Sequence, residues 1–333
     1  MSEPETRWLH VRHDTRYTHG TGAAVELAHH MAYLRPRETP LQHIHGWTLD
    51  VQPEPDGDVG LVHQSQDPWG NWRAYFSHSR VHDDLLVSSD FLAELTAAEP
   101  LDPLDSPPWE QVATQLRYRA RAAYVEAVEF ALGSPYAPRD AALARFAAPD
   151  FPPGRPLLDG AVALMSRVYR SFEYKPLSTS VATRALDALA KRQGVCQDFA
   201  HVMIGALRSL GLAARYVSGY LLTHPPAGQP RLIGADASHA WVSVWCPRQG
   251  WIALDPTNDV PAALDHVTLA WGRDYADVAP LRGVIRGGGR AVPQVAVTVE
   301  PWVWPLVELA PGPAPKPTPV SPKEAPVERP DPP

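Results

Sequence analysis

The amino-acid sequence predicts an α+β protein. Short β-rich runs separated by turn residues fill the first hundred residues. Runs rich in Ala, Leu and Arg follow, and strand-type segments return after them. Strands, then helices, then strands is the order of a β-sandwich-like N-terminal domain over residues 1–100 and a mixed domain over residues 109–300. A length of 333 residues suits about two domains, and a hydrophobic fraction of 44% is ordinary for a globular chain.

Residues Leu9 to Tyr17 alternate locally, and Trp47 to Val51 reads as a short strand ending at Pro53. Asp67-Pro68-Trp69-Gly70-Asn71 supplies turn chemistry between two β-rich runs, a hairpin signal. The boundary falls in Pro100–Pro108, where four prolines break both periodicities. Helices are predicted over Trp109–Leu132, Leu157–Phe172, Val181–Arg192 and Cys196–Leu210. Strands are predicted over Ala213–Leu222, Ala240–Trp245 and Trp251–Leu254, with a last strand pair at Val267–Ala270 and Ala291–Val299. Ten prolines crowd the last 23 residues, Pro311–Pro333, which read as a disordered tail over 311–333.

The charge balance narrows the function classes. A formal net charge of −7 speaks against a nucleic-acid or anionic-membrane surface as main partner. The longest uncharged stretch, Tyr216–Pro230, carries a Gly and a Pro-Pro pair, so no transmembrane helix is expected. The N-terminus MSEPETRWLH shows no secretory signal. Two cysteines, Cys196 and Cys246, make no disulfide framework. A reducing cytoplasm is the expected compartment.

The chemistry gathers between Gly194 and Asp259. Gly194 is expected to allow a sharp turn, after which Cys196 opens a helix anchored by Phe199, Met203, Leu207 and Leu210. A helix N-terminus favours thiolate over thiol, and the thiolate is the nucleophile. A lone Cys on a helix also fits a buried structural thiol. Two later residues weigh against that reading. His239 opens the strand HAWVSVW, and Asp255 closes GWIALD. On antiparallel neighbours the carboxylate can hold one imidazole nitrogen while the other faces the helix start. Nucleophile, base and orienting acid are the roles that acyl transfer through a thioester requires. Asp259 is the next candidate for the acid.

The segments GVCQDFAH, ARYVSGY, HAWVSVW and GWIALDPTND resemble the core of the transglutaminase-like superfamily, in its bacterial cysteine-protease-like branch. HVTLAWGRDYADVAPLRG, residues 266–283, resembles the continuation of that core. HDTRY, YLRPRETPLQ and DPWGNW resemble the β-rich region that precedes it. The resemblance spans roughly residues 8 to 300. It implies a papain-like, transglutaminase-like catalytic core with Cys196 as nucleophile, His239 as base and Asp255 as orienting acid. For the oxyanion it implies the Cys196 backbone N–H, with Tyr174 in SFEYKP as candidate side-chain donor.

The expected function is thiol-dependent acyl transfer on a peptide or amide substrate, with hydrolysis favoured because water is the default acceptor. Transfer to an amine and a non-catalytic binding module are the alternatives. No calcium-loop pattern is present, and no cofactor or metal is expected. Asp198 is explained by helix capping, and His201 flanks the nucleophile without an assigned role. His29-His30 and His43/His45 lack a carboxylate or Cys at ligand spacing. Gly287–Gly289 reads as a loop, Cys246 as structural, and Trp241 as packing.

Overall fold

The computed structural model describes residues 4–20, 24–57, 62–117, 119–121, 125–176, 178–223, 238–289 and 291–303. Six strands open the chain: β1 (Thr6–Thr18), β2 (Val25–Ala32), β3 (Gln42–Gln52), β4 (His63–Gln66), β5 (Trp72–His78) and β6 (Asp84–Thr96). The mixed region carries α1 (Trp109–Gln115), α2 (Ala141–Ala147), α3 (Leu157–Ser171), β7 (Glu173–Tyr174), α4 (Ala185–Lys191), β8 (Gln193–Gly194) and α5 (Cys196–Ser209). Then follow β9 (Ala214–Leu221), β10 (Ser238–Cys246), β11 (Gly250–Asp255), β12 (Val260–Pro261), β13 (His266–Gly272), α6 (Tyr275–Val278), β14 (Leu281–Gly287) and β15 (Gln294–Pro301). The expected α+β class holds, and no helix among the described residues is long and apolar enough to cross a membrane.

Two four-stranded sheets, ordered β15-β1-β6-β3 and β14-β2-β5-β4, face each other across Ala32, Leu34, Val51, Ala74, Phe76, Leu85 and Val87. The Asp67–Asn71 turn forms as expected between β4 and β5. The Asp67 carboxylate accepts from the Trp69 and Asn71 N–H groups at 2.9 Å each, and Gly70 takes φ +77°. Strand β6 does double duty. Its odd-numbered side chains share one face. Leu85 and Val87 bury against the second sheet, whereas Phe91, Ala93 and Leu95 bury against Tyr220, Leu222, Val267 and Leu269 of the mixed region. Thirteen residues at about 3.3 Å each make the strand long enough to reach both partners.

The mixed region is built on an antiparallel sheet ordered β12-β11-β10-β9-β13. Helix α5 lies on the face formed by Ala240, Val242 and Val244. Residues Gln197 to Arg208 of α5 are all buried, so the helix is enclosed on every side and not only along the expected stripe.

Several sequence expectations need correction. The single helix expected over Trp109–Leu132 is α1 plus a 3₁₀ turn at Glu126–Ala131. Val112 is the buried residue of α1, and the helix closes at its C-cap Leu116, which is also buried. The 3₁₀ geometry instead eclipses Ala127 and Phe130, both buried. The strands expected at Val267–Ala270 and Ala291–Val299 form but do not pair with each other. β13 pairs with β9, and β15 pairs with β1. Strand β14, exposed along most of its length, shows no apolar alternation and went unpredicted; it pairs with β2. Residues 281–301, grouped by sequence with the catalytic region, therefore complete both N-terminal sheets. The Pro-rich boundary is tied to α3: Leu157 N–H donates to Pro107 O at 2.9 Å and Leu158 N–H to Ser106 Oγ at 3.0 Å. The expected tail over 311–333 lies outside the described residues.

Candidate active site

Cys196 is the first residue of α5, so its N–H has no acceptor within the helix. Gly194 is needed for a reason other than the expected turn. A Cβ there would sit 2.5 Å from Asp198 Oδ2, whereas its φ is not left-handed. The Asp198 carboxylate caps the helix start, with Oδ2 accepting from Val195 N–H at 2.8 Å and Thr179 Oγ at 2.6 Å. Parallel pairing of β7 with β8 sets Tyr174 beside Gly194, two residues before Cys196. Tyr174 is 52% exposed, packs edge-on to Phe199, and has its pKa raised by burial and by the nearby Cys196 charge.

Strands β10 and β11 are antiparallel, with Val242 opposite Leu254. This register brings the end of one strand level with the start of the other. His239 Nε2 donates to Asp255 Oδ2 at 2.8 Å, which leaves Nδ1 for Cys196. Burial opposes charge on His239, but the bond to Asp255 and the approach of Cys196 outweigh it and raise its pKa to about 10. Burial also opposes charge on Asp255. Hydrogen bonds from His239, His266 and Asn258 overcome that and hold its carboxyl well below the usual carboxylate range.

Asp255 is saturated with donors. Oδ1 accepts from the N–H groups of Thr257 (2.9 Å) and Asn258 (3.3 Å). Oδ2 accepts from His239, from Asn258 Nδ2 at 2.7 Å and from His266 Nε2 at 3.2 Å. His266 Nδ1 accepts from Ala263 N–H at 3.3 Å, which fixes the proton of a neutral ring on Nε2, toward Asp255. Sequence reasoning assigned no role to His266 or Asn258. The quoted HVTLAWG segment contains the histidine, but only the pairing of β13 with β9 brings it to the site.

His239, Asp255 and His266 have donor atoms within 4.8 Å of one another, so this group could face a cation. Both Nε2 atoms are already occupied in bonds to the same carboxylate oxygen. A cation would have to displace those protons and draw His239 away from Cys196.

The other sequence candidates lie elsewhere. Asp259 Oδ1 accepts from Ser166 Oγ at 2.6 Å. His201 is enclosed between Tyr136 and Tyr216; its Nε2 accepts from Tyr275 N–H, and burial lowers its pKa to about 3. His29 bonds Ser77, His30 stacks on Phe76, and His43 and His45 pair with Glu38 and Glu94. Cys246 is fully buried; Gly287–Gly289 all have positive φ, but Gly287 ends β14, paired with Val25, and the expected loop begins only at Gly288. Trp241 packs over Gly219, where a Cβ would meet its ring at 2.4 Å.

Comparison with known proteins agrees with this architecture. Residues 148–256 match the family described as transglutaminase-like superfamily, and residues 9–94 match the bacterial transglutaminase-like N-terminal region. An uncharacterized protein of Mycobacterium tuberculosis (strain H37Rv) is 38% identical over 308 residues, 89% of this chain and 94% of that protein. A protein-glutamine gamma-glutamyltransferase of Pseudomonas aeruginosa is 33% identical over 131 residues, 36% of this chain and 20% of that protein. A crystal structure described as a candidate cysteine protease from Cytophaga hutchinsonii shares the fold with TM-score 0.70 at 21% identity, covering 90% of this chain and 92% of that one. The chain belongs to the transglutaminase-like superfamily, with the bacterial N-terminal region of that family ahead of its core.

Proposed function

We propose that the protein is a cysteine-dependent acyl-transfer enzyme acting on amide or peptide bonds, with Cys196 as nucleophile, His239 as base and Asp255 as orienting acid. The observation that carries this reading is the placement of one buried imidazole between the Asp255 carboxylate and the thiol at the start of α5. In this scheme Sγ attacks the carbonyl carbon and the imidazolium protonates the leaving amine, leaving a thioester and neutral His239. His239 then takes a proton from water, the hydroxide oxygen attacks the thioester carbon, and the acid departs as Sγ is restored. The Cys196 N–H and the Tyr174 hydroxyl are the proposed donors to the oxyanion.

Hydrolysis is the reaction proposed for the second half. Transfer to an amine is the other reading, favoured by the similarity to the Pseudomonas aeruginosa protein-glutamine gamma-glutamyltransferase. The test is mass spectrometry of the chain mixed with a peptide library, with and without a primary amine. An acyl adduct on Cys196 that water discharges supports hydrolysis, and an amide product with the added amine supports transfer. No adduct on Cys196 and no turnover lost in Cys196→Ala would remove the thiol from the mechanism.

A further inference from the structure

The sheet face opposite α5 carries a cavity of about 470 Å³, within the range of small-molecule sites. Arg215, Trp241, Ser243, Trp251, His266 and Trp271 are among its walls. Arg215 is only 7% exposed and is held between two indoles. Its Cζ lies 3.6 Å from the Trp271 ring centre and 4.2 Å from that of Trp251. Arg37 stands 3.5 Å from the same Trp271 ring, so guanidinium groups cover both faces of that indole.

The two arginines differ in one respect. Arg37 donates to Trp69 O and Asn71 Oδ1, at 2.8 and 2.7 Å. The Nε of both lacks a hydrogen-bond partner, but among the described residues no acceptor or carboxylate takes up the terminal nitrogens of Arg215 either. Glu126, exposed where it lines the cavity, acts on it only through space. Five donors on a charged group this deeply buried are normally taken up, because an uncompensated buried charge is costly. Ser243 sits directly across the strands from Arg215 and lines the same cavity. Cation, hydroxyl and indole walls together form a receptor for an anion attached to an apolar group.

We propose that this cavity binds a small organic acid, its carboxylate held by Arg215 and Ser243 and its apolar body by the surrounding tryptophans. The site is separate from the thiol: neither Cys196 nor His239 lines it. It is also close to the catalytic group, because His266 forms part of its wall while donating to Asp255.

The probes are 3-phenylpropanoate and its uncharged amide, titrated into the full chain and followed by ligand-observed NMR and calorimetry. Saturable binding of the acid, preferred about tenfold or more over the amide, is expected. The preference should vanish in Arg215→Met and weaken in Ser243→Ala, with circular dichroism confirming that each variant folds. No binding of the acid at millimolar concentration, or equal binding of acid and amide, overturns the proposal. So does a preference that survives in folded Arg215→Met. If that variant does not fold, an unchanged preference in Ser243→Ala overturns it.

Discussion

Replacing Asp255 by Asn changes two atoms' chemistry and almost no volume, yet the surroundings admit no good placement of the new amide. Oδ1 faces two backbone N–H donors, and Oδ2 faces two imidazole N–H groups and the Asn258 amide. Whichever way the substituted side chain is turned, its NH₂ meets donors on one side. Each buried donor left without an acceptor costs about 1–3 kcal/mol, so two cost about 2–6 kcal/mol of stability. The pH dependence has a definite sign. The depressed Asp255 pKa contributes stability that is present above its ordinary 3.8 and is lost as pH falls through the lower folded value. The raised His239 pKa contributes stability that is fully present below 6.5 and is lost as pH rises through about 10. Urea denaturation of both proteins should therefore show the largest wild-type advantage between about pH 4 and 6.5, declining toward pH 10. In activity, the alkaline limb should move down, because the imidazolium that protonates the leaving amine loses its carboxylate. The acid limb should move less. Equal stability across this range together with an unchanged pH–rate profile would refute the reasoning.

The other expectations rest on separate features. Limiting iodoacetamide at neutral pH should label partly exposed Cys196 and spare Cys246, which is 0% exposed; peptide mapping reads the ratio, and equal labelling counts against the site. His266→Ala should lower kcat about tenfold, the worth of one lost hydrogen bond to Asp255, with KM little changed and partial recovery in His266→Gln. Arg208→Met should destabilise by about 3–5 kcal/mol in urea, because the buried guanidinium ties carbonyls of Phe130, Ala137, Ala214 and Arg273 together. A fragment of residues 1–100 should show no cooperative unfolding, because β1 and β2 lose the partners that β15 and β14 supply. A sharp transition in that fragment would show that the sandwich stands without them.

Legibility in the sequence followed the range of the information. Helices α3 and α5 and strands β9 to β11 were readable because runs of helix-forming residues, or of β-branched and aromatic ones, mark each within its own stretch of chain. The β4–β5 hairpin was readable because Asp67 and Gly70 meet a local geometric need. Strand β14 was not, since its side chains are mostly exposed and its partner, β2, lies some 250 positions earlier. Domain boundaries drawn from composition share that weakness: the Pro-rich segment at 100–108 breaks periodicity, but chain order does not reveal that residues 281–301 return to the first sheets.

The site divides along the same line. Cys196, His239 and Asp255 could be proposed from residue type and order because each lies at or next to the end of an element whose pattern is local. His266 could not, although it is the residue that fixes which way Asp255 is read. Its role depends on β13 lying on the far side of β9 from β10, and on Ala263 N–H taking Nδ1 out of contention as a donor. With Nε2–H thus committed, Asp255 Oδ2 can only accept, and an ionised carboxylate satisfies both histidines at once. A sequence motif that names Cys, His and Asp describes only the proposed reacting line. The Nε2–H of His266 adds a donor that Asp255 Oδ2 accepts and an Asn amide nitrogen could not, and that requirement is written in the pairing of distant strands.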